Sequence, residues 1–579
     1  MLDTALLPGF LAIRSDGFHR AVPAREDSTT TRCGGVGLVH WGVTPIPNAD
    51  RRHPTLILSR VVRRTGGRVS DAEVEEVIRA DPGSLTRLLP PFAAIAGDER
   101  GVRVVADSMG FRHLFHSPPG LAEGVALSSS ALVAATAKGA HLDETAVGVQ
   151  SLLGWQLGQR TLFEGVTKLQ PGAVAAFDDR GVSITSARIR GEEPVDRRTA
   201  VVRAASLLRE SLNALLDDSP DAVLQLTGGM DSRLLLSAIP TSRRYGLRAM
   251  TLDVPGKGDV AVARQLAARY GIRHEVRGLA EVAGVDPAEA WELCRAEATR
   301  LDAMSDPVGL AAQRIAERAF EQGVRISGLG GEVARGFYYA GRVVDRPFAR
   351  NEAARLASWR MFVNEAVQPG LLTEEFAGWA REVAVDEVHA ALEAGGPEWF
   401  RATDELYLRH RMQRWAGSTD TAVSAQRIVI NPMLDPAFLD IAMQLRPQDK
   451  ARSRFLGELQ IELDPELAHI PLDGRPAPAA FAHPSRLQGV GQALITAKRT
   501  IRKAAQRVRR VDRAPAGGEV LAEKVVAHWR ENPELISGLS TLHFIDQEYV
   551  QRVIDGVAKP RPSAVAFLTN LVVATGADG

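Results

Sequence analysis

Thr227-Gly228-Gly229-Met230-Asp231-Ser232 packs two glycines, two hydroxyls and a carboxylate into one short stretch. Adjacent glycines let the backbone bend until successive N–H groups point at one anion. The Thr227 and Ser232 hydroxyls can donate to phosphate oxygens. Asp231 tolerates a polyphosphate only with a cation between them, which makes it a candidate Mg2+ ligand. No Gly-Lys-Ser/Thr is present in it, so this is not a Walker loop. The plainer alternative is a Gly-Gly strand-to-helix turn with Asp231 as a cap. A second loop, Ser327-Gly328-Leu329-Gly330-Gly331-Glu332, offers another carboxylate behind glycines. Glu332 could reach the same ion as Asp231; its alternative is a glycine-rich turn with a solvated glutamate.

The flanking elements give these loops their meaning. Ala222 to Leu226 reads as a short strand running into the first loop, and a helix follows from Arg233. Leu247 to Leu252 and Val324 to Ser327 read as further strands, and Asp259 to Tyr270 as a helix. Val201, Ala205, Leu208, Leu212 and Leu216 fall at helical spacing within Arg198 to Leu216. Strands alternating with helices predict a parallel, doubly wound sheet, whose strand carboxyl ends share one crevice. That crevice would bring the two loops together. Beyond Asn351 the pattern is largely helical, and Ala564 to Ala574 suits a core helix. The first part differs: Phe10 to Arg14, Val36 to Trp41, Thr55 to Val61, Ala93 to Ala96 and Val102 to Ala106 are short apolar runs punctuated by Gly, Pro, Asn and Asp. They predict a sandwich of sheets. The boundary falls near residues 187–197, dividing the chain into 1–190 and 191–579.

Composition narrows the functional classes. The 579 residues carry 70 Lys+Arg against 70 Asp+Glu, which excludes a globally basic nucleic-acid coat. At 45% hydrophobic and 24% charged the chain is ordinary globular material, sufficient for two large domains. Cys33 and Cys294 are the only cysteines. They cannot build a disulfide framework or a four-cysteine zinc site, and they suit a reducing compartment. Each reads as a small buried residue. No basic signal-peptide start and no apolar run of ~18 residues is seen, so a cytoplasmic location without a membrane span is expected. A basic run, Lys498, Arg499, Arg502, Lys503, Arg507, Arg509, Arg510 and Arg513, reads as a solvated helix face or a contact for an acidic partner or peptide. No aromatic residue interrupts it to stack on a base, which argues against nucleic acid.

The motifs together resemble the asparagine synthetase superfamily. In that family a Ser-Gly-Gly-x-Asp-Ser loop grips pyrophosphate while a carboxylate is adenylated; here Thr227 replaces the first serine. The family's Ser-Gly-x-Gly-Gly-Asp-Glu loop is similar to Ser327 to Glu332, with Val333 in the second acidic place. Ile430-Asn431-Pro432-Met433-Leu434-Asp435 is similar to a segment ending Val-Pro-Phe-Leu-Asp. Val105 to Gly110 and Arg160 to Leu169 match stretches of the family's first domain. The resemblance implies an α/β protein: an amidotransferase-like (Ntn-type) β-sandwich domain, then a doubly wound ATP-pyrophosphatase domain with a helical tail. Glutamine-using members carry a cysteine directly after the initiator methionine. Here Leu2 stands there, so the first domain is expected to be inactive, as scaffold or docking surface.

What the resemblance implies for the site is specific. ATP would be held by Leu226, Thr227, Gly228, Gly229, Asp231, Ser232, Gly328 and Gly330, with Thr251 and Leu252 on the adenine side, and Mg2+ by Asp231 and Glu332. Small-molecule members have a lysine in a Lys-Tyr-Leu-Leu-Arg-like stretch; here Arg454 stands in the comparable place, or Lys450 takes the role. By analogy with the Tyr–Glu pair of β-lactam synthetases, Tyr339 (or Tyr338) and Glu405 are candidates for deprotonating the attacking amine. With no ammonia supply, the amine must come from the substrate itself. The expectation is therefore an AMP- and pyrophosphate-forming carbon–nitrogen ligase closing a lasso-peptide macrolactam between an α-amine and an Asp or Glu side chain. Its partners would be a precursor or core peptide, a leader-binding protein and a peptidase. The alternatives are a small-molecule amide or β-lactam synthetase, a divergent asparagine synthetase-like enzyme, and a non-catalytic binding module.

Overall fold

The computed structural model describes residues 5–14, 25–47, 53–117, 126–186, 194–318, 320, 323–363, 365–482 and 517–576. The basic run at 498–513 lies outside the described residues, as do Leu2 and most of the expected 187–197 boundary. Two antiparallel sheets occupy the first part. One runs, edge to edge, 167–168, 115–116, 126–128, 9–14, 36–41, 29–33. The other runs 181–186, 173–178, 101–106, 93–97, 55–57. Their facing sides interlock through Phe10, Ala12, Val36, Leu38, Ile95, Val104 and Phe177.

The outer faces are covered as well. Val74 and Ile78 of the helix Asp71–Ala80 pack on Ala94, Ala96 and Val105, and Val133 of Ala131–Lys138 packs on Leu11, Ile13 and Trp41. This explains why Val36–Trp41 and Ala93–Gly97 are buried at every position instead of alternating. The expected sandwich is therefore a four-layered stack of helix, sheet, sheet and helix.

A five-stranded parallel sheet follows, in the order 273–277, 248–252, 223–225, 325–326, 429–430. The expected strands are present, though the strand before the first glycine loop shortens to Val223–Gln225 and the next helix begins at Met230. The strands Arg273–Arg277 and Val429–Ile430 were not anticipated. The first is an edge strand rich in charge, and the second has only two residues. The helix Arg197–Asp218 is capped by Asp196, whose carboxylate accepts Thr199 N–H at 3.0 Å.

The same apolar core includes Met109, Phe111 and Trp155 from the first part together with Leu208, Leu234, Met412 and Phe438 from the second. A separate cluster joins Phe115, Val147 and Leu162 to the late helices Pro287–Arg300, Gly518–Glu531 and Pro562–Thr575. Among the described residues, no helix is long and apolar enough to cross a membrane.

Candidate active site

The two glycine loops meet at adjacent strand ends. Strands 223–225 and 325–326 are parallel neighbours, so the chain leaves both in the same direction. In the first loop Thr227 Oγ1 lies 3.0 Å from Ser232 Oγ and accepts Gly229 N–H at 3.1 Å. Gly229 caps the helix Met230–Ala238 without any side-chain hydrogen bond, leaving its first amides for an anion. The second loop is pressed onto the first. A Cβ on Gly328 would stand 3.0 Å from Ser232 N, and one on Gly331 only 2.3 Å from Asp231 Oδ1. Gly330 has φ +102° and lies over Met433 and Leu434, so the Asn431–Asp435 segment forms the third wall. Glycine is required here because backbone approaches backbone and carboxylate too closely for a side chain.

Asp231 and Glu332 are thereby brought together. Burial pushes the Asp231 carboxyl up to about 7, the Glu332 charge adds to this, and Arg335 and Arg475 oppose it. Arg335 Nη2 lies 2.9 Å from Glu332 Oε1 and 3.7 Å from Asp231 Oδ2. Asp231 Oδ1 is buried without a hydrogen-bond partner. An orphaned carboxylate oxygen next to a second carboxylate fits a hard cation completed by phosphate oxygens. Among the described residues no group of three or more His, Cys, Asp or Glu forms a metal cage. Asp231, Glu332 and substrate oxygens are the donors available for Mg2+.

Sequence reasoning missed several members of this site. Asp259, first residue of the helix Asp259–Tyr270, accepts Gly228 N–H at 2.9 Å. Its position just past a parallel strand was a usable signal. Asp473 accepts Gly258 N–H at 3.2 Å, and its own N–H donates to Gly228 O at 2.9 Å. Nothing local in the sequence marks Asp473, Arg335 or Arg475. On the expected adenine side, Thr251 Oγ1 donates to Leu226 O at 2.6 Å and lies 2.7 Å from His274 Nε2.

A second constellation adjoins the first. Tyr339 Oη donates to Asp404 Oδ2 at 2.8 Å, and Lys450 Nζ donates to the same oxygen at 2.8 Å. Lys450 and Asp404 are buried. Burial lowers the lysine's pKa, with the Asp404 charge opposing; burial and then Asp404 hold the Tyr339 hydroxyl well above its usual range. Beyond Lys450, Arg452 and Ser453 adopt left-handed φ of 56° and 61°, a strained turn packed against Gly331–Arg335.

The remaining expected residues lie differently. Asp404, and not Glu405, meets the Tyr339 hydroxyl; Glu405 pairs with Arg409 one helical turn on. Arg454 is 44% exposed and pairs with Glu458 at 3.4 Å, so the buried amine of this stretch is that of Lys450. Tyr338 packs edge-on against Phe337 and Tyr407.

In the first part, Asp107 accepts N–H groups from Phe92, Met109, Phe111 and Arg112 at 2.9 to 3.1 Å, beside buried Lys168. Both family-like stretches there therefore serve folding at the junction with residues 410–421. Cys33 is fully buried and its thiol is pushed up to about 11, first by burial and then by Asp98. Cys294 is also buried, with its thiol pushed up by the same cause. Neither is a thiolate at neutral pH.

Comparison with known proteins adds the following. Among solved structures, the chain is similar to an allosteric regulatory enzyme of purine biosynthesis, with 10% identity over 47% of this chain and 75% of that one, at a TM-score of 0.20. It is also similar to the glutamine phosphoribosylpyrophosphate amidotransferase of B. subtilis complexed with ADP and GMP, with 13% identity, the same coverages and a TM-score of 0.20. No curated protein matches. Residues 203–458 match the family model for asparagine synthase. That family uses ATP, typically with Mg2+, and the match supports an ATP-dependent amide-forming ligase at the general level. The segment holding both glycine loops, Asp404 and Lys450 is therefore the part of the chain that is similar to asparagine synthase.

Proposed function

We propose that this protein adenylates a carboxylate and closes an amide with an amine of the same substrate molecule, most specifically a peptide macrolactam of the lasso type. The observation that carries the intramolecular amine is the state of the cysteines: both are buried with raised thiol pKa values, leaving no thiolate to release ammonia from glutamine. The uncapped amides at the start of the helix Met230–Ala238 and the Thr227 and Ser232 hydroxyls supply donors to the phosphates of ATP. The substrate carboxylate attacks the α-phosphorus, and pyrophosphate leaves. Mg2+ held by Asp231 and Glu332 would offset charge on the departing pyrophosphate. The amine then attacks the acyl carbon, AMP leaves, and the amine's proton is passed to a base. Asp404, with Tyr339 and Lys450 both on its Oδ2, is the group we assign to that proton relay. A precursor or core peptide, a leader-binding protein and a peptidase are the partners this reading requires.

One observation favours the second reading, closure of a small amino-acid derivative. The resemblance lets Lys450 take the role of the lysine found in small-molecule members, and its amine is buried on Asp404. ATP–pyrophosphate exchange distinguishes the two. Aspartate, a carboxyethyl amino acid, and a linear peptide with a free amino terminus and an internal Asp or Glu are offered in turn. Peptide-dependent exchange with loss of one water from the peptide supports macrolactam closure. Exchange with the small acid alone moves the assignment to the small-molecule reading, and exchange with aspartate and free ammonia restores an asparagine synthetase-like one.

A further inference from the structure

Arg335 places a permanent cation inside the acidic pair. It ends the tight turn Gly331–Arg335, three residues beyond Glu332. A single nitrogen, Nη2, contacts Glu332 Oε1 at 2.9 Å and Asp231 Oδ2 at 3.7 Å. The two carboxylates come from different strand ends, so this nitrogen bridges elements that are far apart in the sequence. The side chain is only 21% exposed, which weakens solvent screening of both contacts. The tether is also fixed from behind: Gly336 has φ +64°, and a Cβ there would stand 2.4 Å from the Tyr339 ring.

The charge balance sets the consequence. Two carboxylates and the Arg335 guanidinium leave a single net negative charge among these three groups, and the nearby Arg475 charge reduces what an incoming ion meets further. A divalent ion arriving alone must compete with a covalently attached cation already on two of the four oxygens. A nucleotide changes the balance, because its phosphate oxygens are strong acceptors for a guanidinium. We propose that Arg335 is the resident counter-cation of this site. It holds Asp231 and Glu332 together before nucleotide arrives, disfavours a divalent ion on its own, and passes to phosphate oxygens when nucleotide and ion enter together. Arg335 is thus a positioning residue that orders the binding events, and the inference rests on the adenylation reading given above.

Mn2+ serves as the probe, with free ion followed by electron paramagnetic resonance on the full chain. Without nucleotide, Arg335→Met is expected to bind Mn2+ about 10-fold or more tightly than the natural protein, because a unit charge a few ångströms away has gone. Arg335→Gln gives the same shift and serves if the Met variant does not fold. Arg335→Lys keeps the charge and stays near the natural value. With Mn2+ saturating, ATP binding to the Met and Gln variants weakens about 10-fold. A merely structural role would not tighten one ligand while loosening the other. Equal Mn2+ affinity in the natural, Met and Gln proteins overturns the inference and leaves adenylation standing. Failure of every form to bind Mn2+ even with ATP overturns both.

Discussion

Asp404 Oδ2 accepts two hydrogen bonds of 2.8 Å, from Tyr339 and Lys450, inside a buried pocket. If this oxygen relays the amine's proton, Tyr339→Phe should slow amide closure by about 100-fold while ATP–pyrophosphate exchange stays near normal. Rapid-quench measurement of the two steps checks this, and equal loss in both would remove the relay. Lys450→Met strands the Asp404 carboxylate and should cost about 3–5 kcal/mol of stability by urea unfolding. Asp231→Asn should reduce exchange about 100-fold or more, while Glu405→Gln should spare both steps because Glu405 is engaged by Arg409. The neighbours Asp404 and Glu405 show the limit of sequence reading at this scale. Adjacent helical residues point about 100° apart, and only packing decides which one faces Tyr339.

The glycine loops are elements whose geometry was legible. Their composition predicts tight turns at strand ends, and the structure shows why no side chain fits. Gly331→Ala puts a methyl 2.3 Å from Asp231 Oδ1, a distance that forces Asp231 or the loop to move. Exchange activity should fall at least about 10-fold while circular dichroism at 25 °C stays nearly unchanged, since Gly331 belongs only to the short 3-10 turn Gly331–Arg335. Gly341, left-handed and with open space around it, is the control in which only backbone strain is tested. The fifth strand, Val429–Ile430, was not legible. A two-residue strand carries no periodicity, and it exists because Arg325 and Ser327 donate to Ile428 and Ile430 carbonyls at 2.8 and 2.9 Å.

The two parts of the molecule are joined by apolar and polar contacts. Trp155 is fully buried in the core shared with the second part, so Trp155→Ala should lower stability by about 3–5 kcal/mol in a single transition. Thr65 Oγ1 donates to Asp435 Oδ2 at 2.6 Å, and Arg87 meets Asp440 at 2.8 Å. Deeper in, Asp420 is pushed up to about 7, first by burial and then by Asp107, with the Asn431 amide opposing at 3.0 Å. Its folded-state pKa therefore lies above the unfolded value of about 3.9. The contribution of the protonated form is full below pH ~4 and is lost as pH rises through about 7. Asp420→Asn should accordingly raise Tm relative to the natural protein more at pH 8 than at pH 5. A difference that does not change with pH would show that this carboxyl is not titrating there.

Local chemistry sufficed for the glycine turns at the strand ends, the helix Asp259–Tyr270 and the strands at 223–225, 248–252 and 325–326, because each depends on residues close together in the chain. Glycine spacing, helical periodicity and apolar runs act over a few residues and survive in any tertiary setting. Long-range packing alone decided that Arg335 bridges Asp231 and Glu332, that Asp473 reaches the first loop, and that Lys450 shares an oxygen with Tyr339. Those partners are separated by up to hundreds of residues, and the charges meet only because strand ends converge on one crevice and exclude water there.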